Sequence, residues 1–326
     1  MRPSRSVKIS VIIAARVGQE QIPALDGLVE WAGEDGLEVL VVRGNQPSRQ
    51  RNRAADQAQG EILYFLDDDS LAIRANCGLL MDAFKDPDVA VLGGPNLCPV
   101  DASFLQQVFA ALMGNRLVFG PSCARYRPVG QRRSSSEKEL ILCNMAIRAS
   151  EFRRVGGFDE SLYPNEENAL LDELGSRGAK LVYDPELVVR RYPRTSLLGY
   201  VQMLYRYGRG RGEQVRLHPS MGSALNFVPA FFVIYLLVIA AVHVFSSGLA
   251  HPFLIPLVFY VAVSIAWTLA TGFQQGLAMA LSSIPLIPVS HIAYGIGLWK
   301  GLALGVPDKQ LSSGEGEIVI ERPVLS

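Results

Sequence analysis

The apolar run Ile62-Leu63-Tyr64-Phe65-Leu66 is closed by three consecutive carboxylates, Asp67-Asp68-Asp69, before Ser70. Adjacent anions repel one another unless a cation is shared. Hard oxygen donors suit Mg²⁺ or Mn²⁺, which bind through one or two carboxylates together with substrate phosphates. A lone aspartate here would read as a helix cap, a role open to Asp69 or Ser70. A second acidic cluster, Tyr163-Pro164-Asn165-Glu166-Glu167-Asn168, follows the glycine-rich Val155-Gly156-Gly157-Phe158-Asp159-Glu160. Its glutamates either begin a helix from Asn168 to Gly175 or move a proton. All four histidines (His218, His243, His251, His291) lie between Arg216 and Lys300. The preceding part therefore lacks a histidine triad, a histidine-ligated zinc or a histidine base, and its proton transfer falls to carboxylates.

The positioning elements are legible as short buried strands alternating with helices. Val7 to Ala15, Leu37 to Val42 and Glu61 to Leu66 are rich in β-branched and apolar residues; Pro23 to Ala32 and Arg49 to Gln59 carry helical spacing. That alternation predicts a doubly wound, mostly parallel α/β sheet, whose ligands bind outside the carboxyl ends of its strands. Ser70 to Phe84 is expected to be a helix, Val89 to Gly93 a strand and Asp101 to Leu112 a helix. Ser122 to Glu137 is expected to be a loop whose Arg125, Arg127, Arg132 and Arg133 are either solvated or hold phosphates. The balance of 31 Lys+Arg against 31 Asp+Glu argues against nucleic acid as a partner. Cys77, Cys98, Cys123 and Cys143 form no C-x-x-C pair and read as reduced cytosolic thiols.

Ser10-Val11-Ile12-Ile13, Arg51-Asn52-Arg53-Ala54-Ala55, Gln59-Gly60-Glu61 through Asp69, Asn144-Met145-Ala146-Ile147-Arg148 and Val155 to Glu160, in this order, resemble the family 2 glycosyltransferases of the GT-A fold. The resemblance runs from about Val7 to Arg216. It implies that Asp67 and Asp69 form a D-x-D pair, with Asp67 toward the ribose or metal and Asp69 on the metal. It places Ala14, Ala15, Arg51, Asn52, Asp67 and Asp68 on the nucleotide-sugar donor, and makes Glu167, with Glu166 as runner-up, the base that deprotonates the acceptor in an inverting displacement. Two positions depart from the pattern. Arg43-Gly44-Asn45 ends the second strand where relatives commonly carry Asp, and Ala169 stands two residues beyond Glu167, where an acid is frequent. Gln202 and Arg206 retain part of a Q-x-x-R-W spacing. Arg206, Arg209 and Arg211 read as topology anchors or as a grip on an acceptor lipid's diphosphate.

No Asp, Glu, Lys or Arg occurs between Arg216 and Lys300. Ala224 to Phe245 and Pro252 to Ala270 are long enough to span a bilayer, whereas Pro285 and Pro288 split Gly276 to Trp299 into a kinked span or a re-entrant or interfacial helix. The arginines before the first span keep the catalytic part in the cytoplasm. With no leader expected, the protein reads as a multi-pass protein of the cell (inner) membrane. Lys300 and Lys309 weakly favour a cytoplasmic tail, and three full spans would oppose it. The expected organisation is 1–216 catalytic domain, 217–299 membrane segment and 300–326 polar tail. The expected activity is metal-dependent, inverting transfer to a lipid-linked acceptor in envelope or exopolysaccharide assembly. A polyprenyl-phosphate sugar synthase and a noncatalytic membrane-tethered nucleotide-sugar-binding domain are the alternatives.

Overall fold

A computed structural model of the chain describes residues 8–31, 36–219, 221–245, 250–272, 276–305 and 318–325. Val7, Ala32 and Lys309 lie outside them. The chain divides into two compact units, one of Met1–Val100, Pro121–Tyr192 and Asp308–Ser326, the other of Asp101–Gly120 and Pro193–Pro307.

The elements run β1 Ile9–Arg16, α1 Pro23–Val29, β2 Leu37–Gly44, α2 Pro47–Gln57, β3 Ile62–Asp67, β4 Leu71–Ala72, α3 Ala75–Ala83, β5 Val89–Gly93 and β6 Asn96–Leu97. There follow α4 Phe104–Met113, α5 Arg116–Phe119, β7 Arg133–Ser134, β8 Asn144–Arg148, α6 Ala149–Val155, α7 Glu166–Ser176, β9 Lys180–Tyr183 and β10 Val189–Arg190. The chain then forms α8 Leu197–Leu217, α9 Val228–Phe245, α10 Ala250–Gly272, α11 Leu277–Ser283, α12 Leu286–Leu304 and β11 Val319–Glu321.

The first unit holds a sheet of order β11-β2-β1-β3-β8-β5-β9-β7. Period-two alternation sorts its strands into two cores: Val11, Ile13, Val39, Val41, Tyr64 and Leu66 enter one, Ile12, Leu40, Val42, Leu63 and Phe65 the other. Burial on both faces explains the unbroken apolar runs. β1 is parallel to β2 and β3, as expected, and β5 is also parallel to β9, a strand the sequence reading does not single out. The sheet is nevertheless mixed, because β8 runs antiparallel between β3 and β5.

Three further expectations are corrected. No helix begins at Ser70: Leu71 and Ala72 pair antiparallel with β10, so α3 starts only at Ala75 and neither Asp69 nor Ser70 caps it. The stretch from Ser122 to Glu137 is ordered. Arg125 donates to the carbonyls of Glu137 and Lys138, Arg132 pairs with Asp184 at 2.7 Å, and Arg133 pairs with Glu139 at 2.6 Å while lying over Tyr183. Three of its four arginines are thus structural ties, and Arg127 is exposed. Finally, the tail returns to the first unit, where β11 pairs antiparallel with β2 through Val319–Arg43 and Glu321–Val41.

In the second unit, Ala224–Phe245, His251–Ala270 and Leu277–Leu304 are long and apolar enough to cross a membrane. The third is broken at Ile284-Pro285, between α11 and α12. α8, expected to close the catalytic domain, belongs to this unit and packs along α12.

Candidate active site

Asp67 ends β3 and, in the register of the sheet, lies beside Ala14 at the end of β1. Its two oxygens face two arginines: Oδ1 accepts from Arg51 Nη2 at 2.9 Å, and Oδ2 lies 3.0 Å from Arg191 Nη1. Asp69 Oδ1 lies 2.5 Å from Arg191 Nε. Asp68 turns the other way and accepts from Gln19 Nε2 at 2.7 Å, tying the loop after β1 to the strand end.

Arg51 comes from α2 and is 5% exposed. Its other terminal nitrogen, Nη1, donates to Glu166 Oε1 at 3.1 Å. This links the two acidic clusters, so that Glu166, Arg51, Asp67, Arg191 and Asp69 form one connected chain of acidic and basic side chains. Glu166 is 2% exposed, and its Oε2 also accepts from the Asn165 amide at 3.0 Å. Burial, reinforced by the neighbouring Glu167, pushes its carboxyl up to about 8 although Arg51 opposes the shift. Glu167 is more open. It accepts from Asn168 at 3.3 Å and sits 3.9 Å from Arg125, which also donates to Asn168. α7 begins at Glu166, so both glutamates occupy its first turn, where the helix dipole favours anions.

Asp69 keeps 47% of its side-chain surface. Desolvation pushes its carboxyl upward, with the Arg191 guanidinium opposing. Beneath the site, Cys143 is fully enclosed and burial pushes its thiol up to about 12, which makes it inert packing.

Some expected donor residues serve elsewhere. Ala15 is 3% exposed and its carbonyl accepts from Gln50 Nε2 at 2.8 Å, so its side chain belongs to the core; Ala14 is the partly open one. Asn52 receives the Phe158 amide at 2.9 Å and donates to the Phe158 carbonyl at 2.9 Å, matching one backbone on both its groups. Gly157, at φ +79°, approaches the same amide so closely that a Cβ would lie 2.6 Å from Asn52 Oδ1. Asn52 thereby holds the loop that leads to Glu166. Arg43 pairs with Glu321 at 2.7 Å and seats β11.

The arginines of α8 separate into three environments. Arg211 is 6% exposed and donates to Gln214 at 2.9 Å, Arg209 lies 3.2 Å from the buried Glu213, and Arg206 alone of the three is exposed. Burial of Arg211 argues against its joining the other two on a diphosphate. Sequence reasoning missed Arg191. Its only signal is that Arg190-Arg191 follows an apolar run, as Asp67 to Asp69 do.

Among the described residues no group of three or more His, Cys, Asp or Glu converges as a metal site. Asp67 and Asp69 do converge on a single cation, the Arg191 guanidinium. Two carboxylates are the number a Mg²⁺ or Mn²⁺ takes when phosphates complete its shell, so this pair fits a shared substrate–metal site rather than an all-protein cage.

Residues 24–132 match the family model described as Glycosyl transferase family 2. The succinoglycan biosynthesis protein ExoA of Rhizobium meliloti (strain 1021) is 26% identical over 207 residues, covering 62% of this chain and 58% of that protein. The pre-mycofactocin glycosyltransferase of Mycobacterium tuberculosis (strain CDC 1551 / Oshkosh) is 28% identical over 179 residues, 55% of this chain and 37% of that protein. The match thus spans little more than half of one relative and about a third of the other. Among solved structures, the mannosyltransferase PcManGT from Pyrobaculum calidifontis in complex with GDP-Man and Mn²⁺ shares the fold, with a TM-score of 0.56 at 15% identity over 94% of this chain and 88% of that one. The match to the family 2 glycosyltransferase model is confined to residues 24–132, and the fold around it is of the GT-A type.

Proposed function

We propose that this family 2 glycosyltransferase domain moves a sugar, with inversion, from a nucleotide-sugar donor to a lipid-linked acceptor at the cytoplasmic face of the cell (inner) membrane, in envelope or exopolysaccharide assembly. The observation that carries the reading is the buried Arg51, which joins Asp67 at the donor end of β3 to Glu166 at the start of α7. Two carboxylate clusters held at a fixed separation are what an in-line transfer needs, one for the leaving group and one for the nucleophile. The succinoglycan relative supports a polysaccharide product, and the apolar helices support a membrane-borne acceptor.

Asp67 and Asp69 would hold Mg²⁺ or Mn²⁺, which when bound neutralises charge on the departing nucleoside diphosphate. Glu167, the open member of its pair, takes the acceptor hydroxyl proton as the acceptor oxygen joins the anomeric carbon and the bond to the diphosphate breaks on the opposite face. Glu166, buried on Arg51, orients this turn rather than receiving the proton.

Native membranes containing the full-length protein, given a panel of radiolabelled nucleotide sugars and extracted lipids, test the reading. Glu167→Gln should lower turnover by about 10²- to 10⁴-fold, and Asp69→Asn or EDTA should remove nearly all transfer. If Glu166→Gln is dead and Glu167→Gln active, the roles are exchanged. If both are active, the acceptor already carries its negative charge and is a polyprenyl phosphate. Hydrolysis and transfer both absent from the wild type with every donor would point to a noncatalytic binding domain.

A further inference from the structure

Arg191 bridges Asp67 and Asp69, the two carboxylates that the proposed function gives to the donor's cation, and its attachment to the fold differs from that of Arg51. Its backbone is fixed: β10 is paired between β4 and β6, and the Arg191 amide donates to the Leu97 carbonyl at 2.9 Å. Its side chain keeps 23% of its surface, against 6% for Arg51. Arg51 is enclosed between Asp67 and Glu166; Arg191 reaches Asp67 Oδ2 at 3.0 Å and Asp69 Oδ1 at 2.5 Å from the solvent side. A divalent ion recruited by the same two oxygens would meet a guanidinium within a few ångströms, and like charges at that range repel strongly in a partly desolvated site. Of the two arginines, only Arg191 has room to leave. An arriving diphosphate offers it paired oxygens that match the guanidinium fork.

We propose that Arg191 is a resident counter-cation that holds Asp67 and Asp69 together in the metal-free enzyme and exchanges onto the donor's diphosphate when a divalent ion takes its place. This rests on the reading that Asp67 and Asp69 bind that ion. Competition for the acidic pair then sets metal affinity: Mn²⁺ binds weakly alone and tightly with the phosphates that draw Arg191 away.

The test uses the full-length protein in detergent, with calorimetry and thermal melting rather than turnover. Arg191→Gln removes the competitor, so Mn²⁺ alone should bind about five- to tenfold more tightly than to wild type. The metal-free protein should melt lower, and Mn²⁺ should raise its Tm by more than it does in wild type, as mass action requires of a tighter ligand. Arg191→Lys, which keeps the charge, should bind Mn²⁺ as wild type does, so a general loss of folding is separable from loss of the cation. The Mn²⁺ complex of inorganic diphosphate should bind at least fivefold more weakly to Arg191→Gln; equal binding would overturn the exchange. Unchanged or weaker Mn²⁺ binding by Arg191→Gln, with Asp69→Asn unable to bind Mn²⁺, overturns the proposal alone. Full Mn²⁺ affinity in Asp69→Asn overturns the metal assignment and the proposal with it.

Discussion

Glu166 is a carboxyl whose surroundings favour its proton. Burial and the adjacent Glu167 lift it from an ordinary 4.5 to about 8. The folded protein therefore holds a proton that the unfolded chain releases between those values. The stability this confers is complete below about 4.5 and is lost as pH rises through about 8. Melting of the full-length protein in detergent should accordingly fall as pH rises from about 4.5 to about 8 and level off above that. Glu166→Gln, permanently neutral, should flatten that fall; identical slopes in both proteins would show that Glu166 ionises normally. The same chemistry explains the division of labour in the pair. A carboxyl that already holds its proton below about pH 8 has no free site for another, and the proposed reaction therefore assigns the acceptor's proton to the more open Glu167.

At the scale of elements, the repeat Gly208-Arg209-Gly210-Arg211-Gly212 is first a packing device. Gly208 and Gly212 lie one turn apart on α8, Gly297 and Gly301 one turn apart on α12, and each pair shares a helix face. A Cβ would come within 2.0 Å of the Tyr294 carbonyl oxygen at Gly208, 2.4 Å of Leu298 at Gly212, 2.1 Å of Tyr205 at Gly297 and 2.1 Å of Arg209 at Gly301. Backbone meets backbone, the close approach that paired G-x-x-x-G stripes permit. The intervening arginines are taken up as the helices close, Arg211 by Gln214 and Arg209 by Glu213. Overpacking of this kind costs about 1–3 kcal/mol or more. Gly212→Leu should therefore lower Tm by several degrees and broaden the gel-filtration peak, whereas Gly78→Ala, with nothing within 4 Å of its Cβ, should leave both unchanged.

For the whole molecule, β11 bears on a question of parity. Residues 319–321 hydrogen-bond to β2 in the sheet of the first unit, so the chain returns to that unit after α12. On the proposed membrane-borne reading, a chain that leaves and re-enters one unit should cross a bilayer an even number of times in between. Epitopes placed at the two termini should behave alike toward protease in sealed vesicles, both cut or both protected; one cut and one protected would refute the pairing. The compact units are drawn differently from the expected 1–216, 217–299 and 300–326, with α8 grouped with α12 and β11 with β2. Ending the chain at Arg216 would strip β11 from the edge of β2 and α12 from the glycine face of α8.

Much of this was written locally. Residues 9–16, 37–44 and 62–67 announce buried strands because both of their faces meet a core, and the repulsion written into the three aspartates after Leu66 is met in the fold by a cation, the Arg191 guanidinium on Asp67 and Asp69. The charge-free stretch announces helices long and apolar enough to cross a membrane, because no charge interrupts them. Other features required partners far apart in the chain. Arg51 reads as a solvated helix charge until α7 folds over it, and Arg191 reads as an exposed base until β10 docks between β4 and β6. Met145 and Ile147 are equally apolar whether β8 runs with or against β3, and a short strand such as Val319–Glu321 carries no sign of which edge will take it. Local propensity depends on each residue's own backbone and side chain and is therefore legible in order along the sequence. Strand direction, edge pairing and the ion pairs that join two acidic clusters depend on which surfaces meet, and only tertiary packing decides that.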